Sequence, residues 1–438
     1  MPGKLLAMHA PDGLFSMPVN VVFGVVVLAT AGVACARLSR RQDHRLVPLM
    51  GILAAFVFAG QMVNFPIASG TTGHLLGGTL VAILAGPWAA TIVMAAVILF
   101  QALLGDGGIT ALGPNIFNMG IVGTCLAYFI YRAFVGRAFD SPARVVAAAF
   151  FAAWFSVPLA SVFASLQLAV SGTASLARAL PAMVLTHMLI GIGEALITAG
   201  VVAFVVKTRP DLLYGHSVAE GRRVGRPALA FGLVVSLFFA TCLSLLPRLW
   251  DHPDGLEFIG QEKGFLVEEA RAAEGGALVT LPAYPLGVRL AIADGKVVAV
   301  HRYDQCAGDV QPGDVIRCIE TQPVTDLAEA AAALRLGTGD PKSGIPAGQP
   351  IRLVVERDGR ELPLTVRAAA APTAGATPTR IALLPDYTVP GLSGLISTSV
   401  AGAIGTVVMF VLALIMGRVL VRAPGAPVDA VRCGAGGD

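Results

Sequence analysis

Apolar residues come in long runs along this chain, at residues 19–37, 47–66, 75–87, 89–104, 115–133, 145–170, 181–206, 228–248 and 395–421. An α-helix needs about 20 such residues to cross a bilayer core of roughly 30 Å, so the runs predict nine spans. The third and fourth are short and meet at Gly86-Pro87. That pair predicts two shallow or tilted helices, a form tolerated only where protein covers the backbone.

Composition narrows the class. Of 438 residues, 55% are hydrophobic and 13% charged, and the mean hydropathy is +0.74. Water cannot solvate such a chain as a soluble enzyme, coiled coil or disordered scaffold. The net charge of +3 says little, but the placement of cations says more. Arg37, Arg40, Arg41 and Arg45 follow the first run, Arg132, Arg137 and Arg144 the fifth, and Lys207, Arg209, Arg222, Arg223 and Arg226 the seventh. Arg418, Arg422 and Arg432 accompany the ninth, whereas connections 67–74, 105–114 and 171–180 hold only Arg178. Basic loops stay in the cytoplasm, so the N-terminus is expected outside and the C-terminus inside, in agreement with an odd number of spans. The cations mark topology, and no nucleic-acid function is expected.

Between the eighth and ninth runs lies a polar stretch of roughly 145 residues, which this topology puts outside the cytoplasm. KVVAVHRYD (296–304), GDVIRCIETQPV (313–324), DLAEAAAALR (326–335) and IRLVVERDGRELPLTVR (351–367) predict strand, strand, helix and hairpin, with Asp358-Gly359 as the turn. The order resembles a PDZ domain over residues 278–368, with Tyr284-Pro285-Leu286-Gly287 in the place of the carboxylate-binding loop. That resemblance implies a peptide or protein ligand. Residues 369–383 read as a linker, rich in Pro, Ala and Thr at its start.

The six cysteines show no C-x-x-C spacing, which argues against a zinc or thioredoxin-like motif. Cys306 and Cys318 lie in the polar stretch, where either a disulfide or two free thiols is open. Two of the seven histidines fall at the expected outer face, His9 in MHAPDG and His74 in SGTTGHLLGG. For His74 the alternatives are a structural residue at a helix start and a functional group, and a titratable side chain beside a span favours function. If Met8 is the first residue of the mature chain, Met8 and His9 offer an α-amine, a deprotonated amide nitrogen and an imidazole. A second imidazole would complete four nitrogens, a planar set that suits Ni(II) or Cu(II) rather than Mg, Ca or tetrahedral Zn.

Four stretches, MHAPDGLFS, NFPIASGTTGHLLGGTLVAILAGPWAA, GDGGITALGPNIFNMGIVG and HMLIGIGEALITA, together resemble the CbiM/NikM family. These are the substrate-specific membrane components of energy-coupling-factor cobalt and nickel transporters. The resemblance covers residues 8–206 and implies a metal held by Met8, His9 and His74. HPDGLEFIGQEKGF (252–265) and LPDYTVPGLSGLISTSVAGAIGT (384–406) resemble the two-span accessory protein of the same systems. The implied order is a metal-binding membrane domain (8–206), a cytoplasmic basic linker (207–227), a first accessory span with its PDGLE motif (228–265), the PDZ-like domain (278–368), a linker (369–383), a second accessory span (384–421) and a cytoplasmic tail (422–438). The expected fold class is an all-α polytopic membrane protein, with about seven helices in the substrate-binding bundle, two further spans and an extracytoplasmic α+β domain.

The resemblance further implies a transport subunit in a prokaryotic inner membrane. It would have no permanent cofactor, would carry Ni(2+) or Co(2+), and would work with a transmembrane coupling protein and two ATP-binding cassette ATPases. The chain has no G-x-x-x-x-G-K-[ST] run, so ATP is hydrolysed elsewhere. For the Met-His amine to bind metal, residues 1–7 must be absent from the mature protein, through a start at Met8 or cleavage after Ala7. A membrane metal sensor acting through the PDZ-like domain is an alternative. An intramembrane metalloprotease is weaker, because no His is followed by Glu and H-E-x-x-H is missing.

Other polar residues carry expected supporting roles. Asp12 either orients a ligand imidazole or marks a Pro-Asp-Gly turn. Asn64, Asn115 and Asn118 are expected to tie the metal loop to the helices. His187 and Glu194, seven apart and so on one helical face, are expected to pair within the seventh span and lock the bundle. Small residues at helical spacing, as in Ala85 with Ala89 and Ala147 with Ala149 and Ala153, are expected to pack within the chain.

Overall fold

The computed structural model describes residues 9–40, 45–62, 64–66, 72–136, 141–215, 271–272, 278–281, 285–293, 295–302, 306, 308–335, 345–346, 348–368 and 394–421, with Val234, Leu256, Ile259 and Leu392. Met8, the expected eighth span apart from Val234, and most of both linkers lie outside the described residues.

Among the described residues, six helical stretches are long and apolar enough to cross a membrane. They are α1 (Met17–Leu38), α4 (Pro87–Leu104), a composite over Leu112–Val135, α7 (Pro142–Val170), α8 (Leu176–Thr208) and the last helix, α10 (Gly394–Leu420). A seventh, α2 (Leu46–Gln61), is equally apolar but only 16 residues long. The expected span at 75–87 is different. Only α3 (Gly78–Ala85) forms there, and at 1.5 Å per residue it is about 12 Å long, too short to cross. Gly77 and Gly86, with φ of 76° and 87°, close the helix at both ends. Every residue of α3 is buried, which is where a broken helix keeps its end groups away from lipid.

The composite span joins α5 (Leu112–Asn115), a π-helical stretch (Ile116–Leu126) and α6 (Ala127–Val135). Gly123 and Gly78 bring this stretch against α3, since a Cβ on Gly78 would sit 2.8 Å from the Gly123 carbonyl oxygen. The small residues Ala85, Ala89, Ala149 and Ala153 are buried in the bundle, as expected, whereas Ala147 is exposed on the outer side of α7. By contrast α1 is 17% buried over its apolar window and turns Val21, Val22, Val25 and Leu28 outward.

The accessory part is docked on the bundle. Leu414 of α10 lies against Gly51 of α2, and Phe58 of α2 fills the space over Gly405 of α10. Ala401, Met409 and Ala413 belong to the same core as α2, α3 and α4. Leu256 and Ile259, from the PDGLE stretch, pack with Ala10, Leu14 and Phe15 of the N-terminal segment.

The polar stretch folds as an antiparallel sheet. Its strands are β3 (Arg271–Ala272), β4 (Leu278–Leu281), β5 (Val288–Ala293), β6 (Lys296–Arg302), β7 (Val315–Ile319), β8 (Gln322–Pro323), β9 (Pro350–Arg357) and β10 (Arg360–Arg367). Their order is β10-β9-β7-β6-β5-β4-β3, with β8 paired to β7. The strand, strand, helix and hairpin read from sequence all form. The helix α9 (Leu327–Ala333) starts at Asp326, whose carboxylate accepts from the Glu329 N–H at 2.8 Å. The hairpin turns on Asp358 and Gly359, both at positive φ. Inward Ile351, Leu353 and Val355 alternate with outward neighbours along β9. Cys306 Sγ donates to Gly308 O at 3.9 Å and Cys318 Sγ to Glu320 O at 3.6 Å, and the two sulfurs are not bonded to each other.

Asp314 and Arg357 tie β9 to the turn before β7. Arg357 Nε donates to Asp314 Oδ1 at 2.7 Å and Nη2 to Oδ2 at 2.8 Å, a fork geometry. Burial opposes ionisation of Asp314, but Arg357 and the Gln311 N–H outweigh it and hold the carboxyl below the usual range. A depressed folded-state value contributes stability above the unfolded pKa of about 3.9, and that stability is lost as pH falls through the folded value. Asp314→Asn should therefore cost about 2 kcal/mol at pH 7, seen as about 30-fold faster hydrogen exchange in β7 and β9. In denaturant titrations of the full chain, the gap between variant and parent should close below about pH 4. A gap independent of pH would exclude the ion pair as its source.

Candidate metal centre

His9 opens the described chain and is 2% exposed. Its Nδ1 stands 3.2 Å from Asp106 Oδ1, in the loop after α4. Its Nε2 is buried and has no hydrogen-bond partner among the described residues. The His74 ring lies 5.8 Å away, centroid to centroid. Two imidazoles sharing a metal at about 2.0 Å from each nitrogen would have centroids roughly 4.5 to 6.3 Å apart, from cis to trans.

Backbone contacts bring the N-terminal segment there. Asn115 grips the Ala10 peptide from both sides, its Oδ1 accepting from Ala10 N at 3.2 Å and its Nδ2 donating to Ala10 O at 3.0 Å. Gly108 N also donates to Ala10 O, at 2.9 Å. Asp12 Oδ1 accepts from Thr110 N at 2.7 Å and Thr110 Oγ1 at 2.6 Å. It therefore fastens the segment to this loop, and its own carboxylate is 2.6–2.7 Å from Thr110 rather than on an imidazole. Farther along, Thr173 Oγ1 donates to Leu14 O at 2.7 Å and Ser16 N to Ser171 Oγ at 3.0 Å. The stretch after α4 and the loop between α7 and α8 thus hold residues 9–16.

His74 ends β2 (Thr72–His74), which pairs antiparallel with β1 (Asn64–Pro66) so that Asn64 stands opposite His74. His74 Nδ1 is 3.2 Å from Leu75 O, a bond that fixes the tautomer with Nε2 as the acceptor. Asn118 is engaged elsewhere, in a reciprocal amide pair with Gln167 at 2.8 and 3.1 Å that joins the π stretch to α7. The structure does not bring His187 and Glu194 together as a pair. His187 Nδ1 donates to Met183 O at 2.7 Å. Glu194 instead accepts from Leu76 N at 2.7 Å and Gly77 N at 2.9 Å. Glu194 thereby faces the loop that carries His74.

Sequence reasoning missed Asp106, Thr110 and Gln167. Asp106 carried the one available signal, as the acid in a Gly-rich loop otherwise without charge. Among the described residues, no three His, Cys, Asp or Glu side chains converge as a ready-made metal cluster.

A helical membrane bundle that seats a buried imidazole 5.8 Å from a second one at one end offers two of the donors that transition-metal ions take. Residues 9–212 match the family model described as the cobalt uptake substrate-specific transmembrane region, and residues 352–422 match the PDGLE domain. A putative fused nickel transport protein NikMN of Archaeoglobus fulgidus is 38% identical over 264 residues, covering 60% of this chain and 86% of the relative. The fused nickel transport protein NikMN of Rhodobacter capsulatus is 36% identical over 222 residues, covering 47% and 64%. A crystal structure of a truncated transition metal transporter is 34% identical and covers 45% of this chain and 98% of that one, with a TM-score of 0.41. The chain belongs to the CbiM/NikM family, fused to a PDGLE region, and is thus a substrate-specific transmembrane component of a nickel and cobalt uptake system.

Proposed function

We propose that this subunit captures Ni(II), in preference to Co(II), through the Met8 amine, the His9 amide and imidazole, and the His74 imidazole. The observation that carries this reading is the buried His9 ring lying 5.8 Å, centroid to centroid, from His74. A chelate that includes the His9 amide closes through Nδ1, so loading exchanges the Asp106 contact for the ion and moves the ring proton to Nε2. Four nitrogens in a plane favour Ni(II), whereas Co(II) gains less from that geometry. The names of the relatives from Archaeoglobus fulgidus and Rhodobacter capsulatus also favour nickel.

The cation pattern supports an external N-terminus and a cytoplasmic C-terminus in a prokaryotic inner membrane. Capture then occurs outside, and release inward requires a transmembrane coupling protein and two ATP-binding cassette ATPases. The β-sheet region, on this topology, is an extracytoplasmic PDZ-like domain. Its open question is a peptide ligand, because β4 already lies along β5, the strand that follows the turn at Pro285–Gly287. Strand addition is how such domains take peptides.

Equilibrium titration of purified protein beginning at Met8 with Ni(II) and Co(II), beside His9→Ala and His74→Ala in the same form, tests the site. Nickel should bind more tightly than cobalt, and each variant should lose more than about 100-fold in affinity, beyond the roughly 10–100-fold typical of an outer-shell partner. Binding that ignores both histidines would refute it.

A further inference from the structure

Glu194 is 0% exposed, in the middle of α8. An intramembrane carboxylate is costly and persists where it does something specific. Its two oxygens take the consecutive N–H groups of Leu76 and Gly77, at 2.7 and 2.9 Å. These are the second and third residues after His74, at the start of α3, where the helix dipole also favours negative charge. The other side of the Leu76 peptide unit is held as well, because Gln61 Nε2, at the end of α2, donates to Leu76 O at 2.8 Å. The segment that carries His74 is therefore pinned between α8 and α2 by two buried side chains, neither of which reaches the ion.

We infer that Glu194 is the positioning residue for His74, so that the placement of α8 against α2 sets how firmly the subunit holds its ion. This rests on the reading of His74 as a ligand. While the carboxylate grips both N–H groups, the imidazole is held at the distance from His9 that a shared ion requires. If α8 shifts and the grip is lost, the loop relaxes and the ion leaves faster. Glu194 thus links a helix spanning the bundle to the binding end without touching the cargo.

The test uses purified protein beginning at Met8 and Ni(II) chloride, reading affinity, dissociation rate and the metal's absorption spectrum. Glu194→Gln puts an NH2 group where an acceptor is needed, so nickel affinity should fall at least tenfold, dissociation should quicken and the spectrum should depart from that of the parent. Gln61→Met removes the opposite grip and should weaken nickel severalfold, which keeps the inference testable should Glu194→Gln fold poorly. Thr198→Val lies one turn further along α8, at a buried hydroxyl without a partner, and should leave affinity and spectrum unchanged. A purely structural role would lower the melting temperature of Glu194→Gln while its folded fraction bound nickel with parental affinity and spectrum, and that result would overturn the inference alone. Parental binding indifferent to His74→Ala would overturn both this inference and the proposed site.

Discussion

Protein beginning at Met8 should bind Ni(II) at least about 100-fold more tightly than protein that keeps residues 1–7, since an amide nitrogen at Met8 cannot replace a free amine as a ligand. Loss of a direct ligand should exceed the roughly 10–100-fold typical of an outer-shell partner. The effect should be confined to the metal. His9 stays fastened through Ala10 and Asn115 in either form, so melting temperatures without metal should agree. Planar Ni(II) is diamagnetic, and the loaded Met8 form should be so, whereas the extended form should not. Equal affinity in the two forms would remove the amine from the site and leave a two-imidazole reading to defend.

Gly108→Ala should reduce nickel affinity by about 100-fold while leaving the transmembrane bundle folded. A Cβ at Gly108 would sit 2.3 Å from Asp12 N and 2.7 Å from the Pro11 carbonyl carbon. These are backbone atoms that no rotamer change can move aside. Overpacking of this kind costs typically 1–3 kcal/mol, and here the segment can escape it by lifting off its loop, at the expense of the Gly108–Ala10 and Asn115–Ala10 bonds. Gly107, at φ 98°, has no such freedom either, since its Cβ would lie 2.7 Å from His9 Cβ. Nickel titration beside hydrogen exchange over residues 9–16 checks the prediction. Parental affinity with faster exchange would mean that the ion alone can order the segment.

The spans were legible because a bilayer demands long apolar runs, and α1, α2, α4, α7, α8 and α10 fall close to where those runs lie. The brevity of α3 was not. Leu75 and Leu76 continue the apolar run, and only the backbone at Gly77 reveals that the helix has yet to begin. Nor was the π stretch readable, since widening a helical turn leaves composition unchanged. In the site, His9 and His74 stood out by residue type and setting. Asp106 did not, because Gly-Asp-Gly-Gly reads equally well as a turn. The partner of Glu194 was misjudged for a different reason. Spacing along one helix reports which residues share a face, but a neighbouring loop can offer main-chain N–H groups that no side-chain pattern encodes. The same limit hid the reciprocal pair of Asn118 and Gln167 across 49 residues.

The seating of α10 along α2, with Leu414 on Gly51 and Phe58 over Gly405, has a consequence for assembly. An accessory protein on a separate chain would partition between bound and free forms according to its abundance in the bilayer. Here the contact is intramolecular, so its occupancy depends on an effective concentration fixed by the tether. Stoichiometry is one to one at any expression level, and diluting the protein into more lipid should not detach the accessory helix from the bundle.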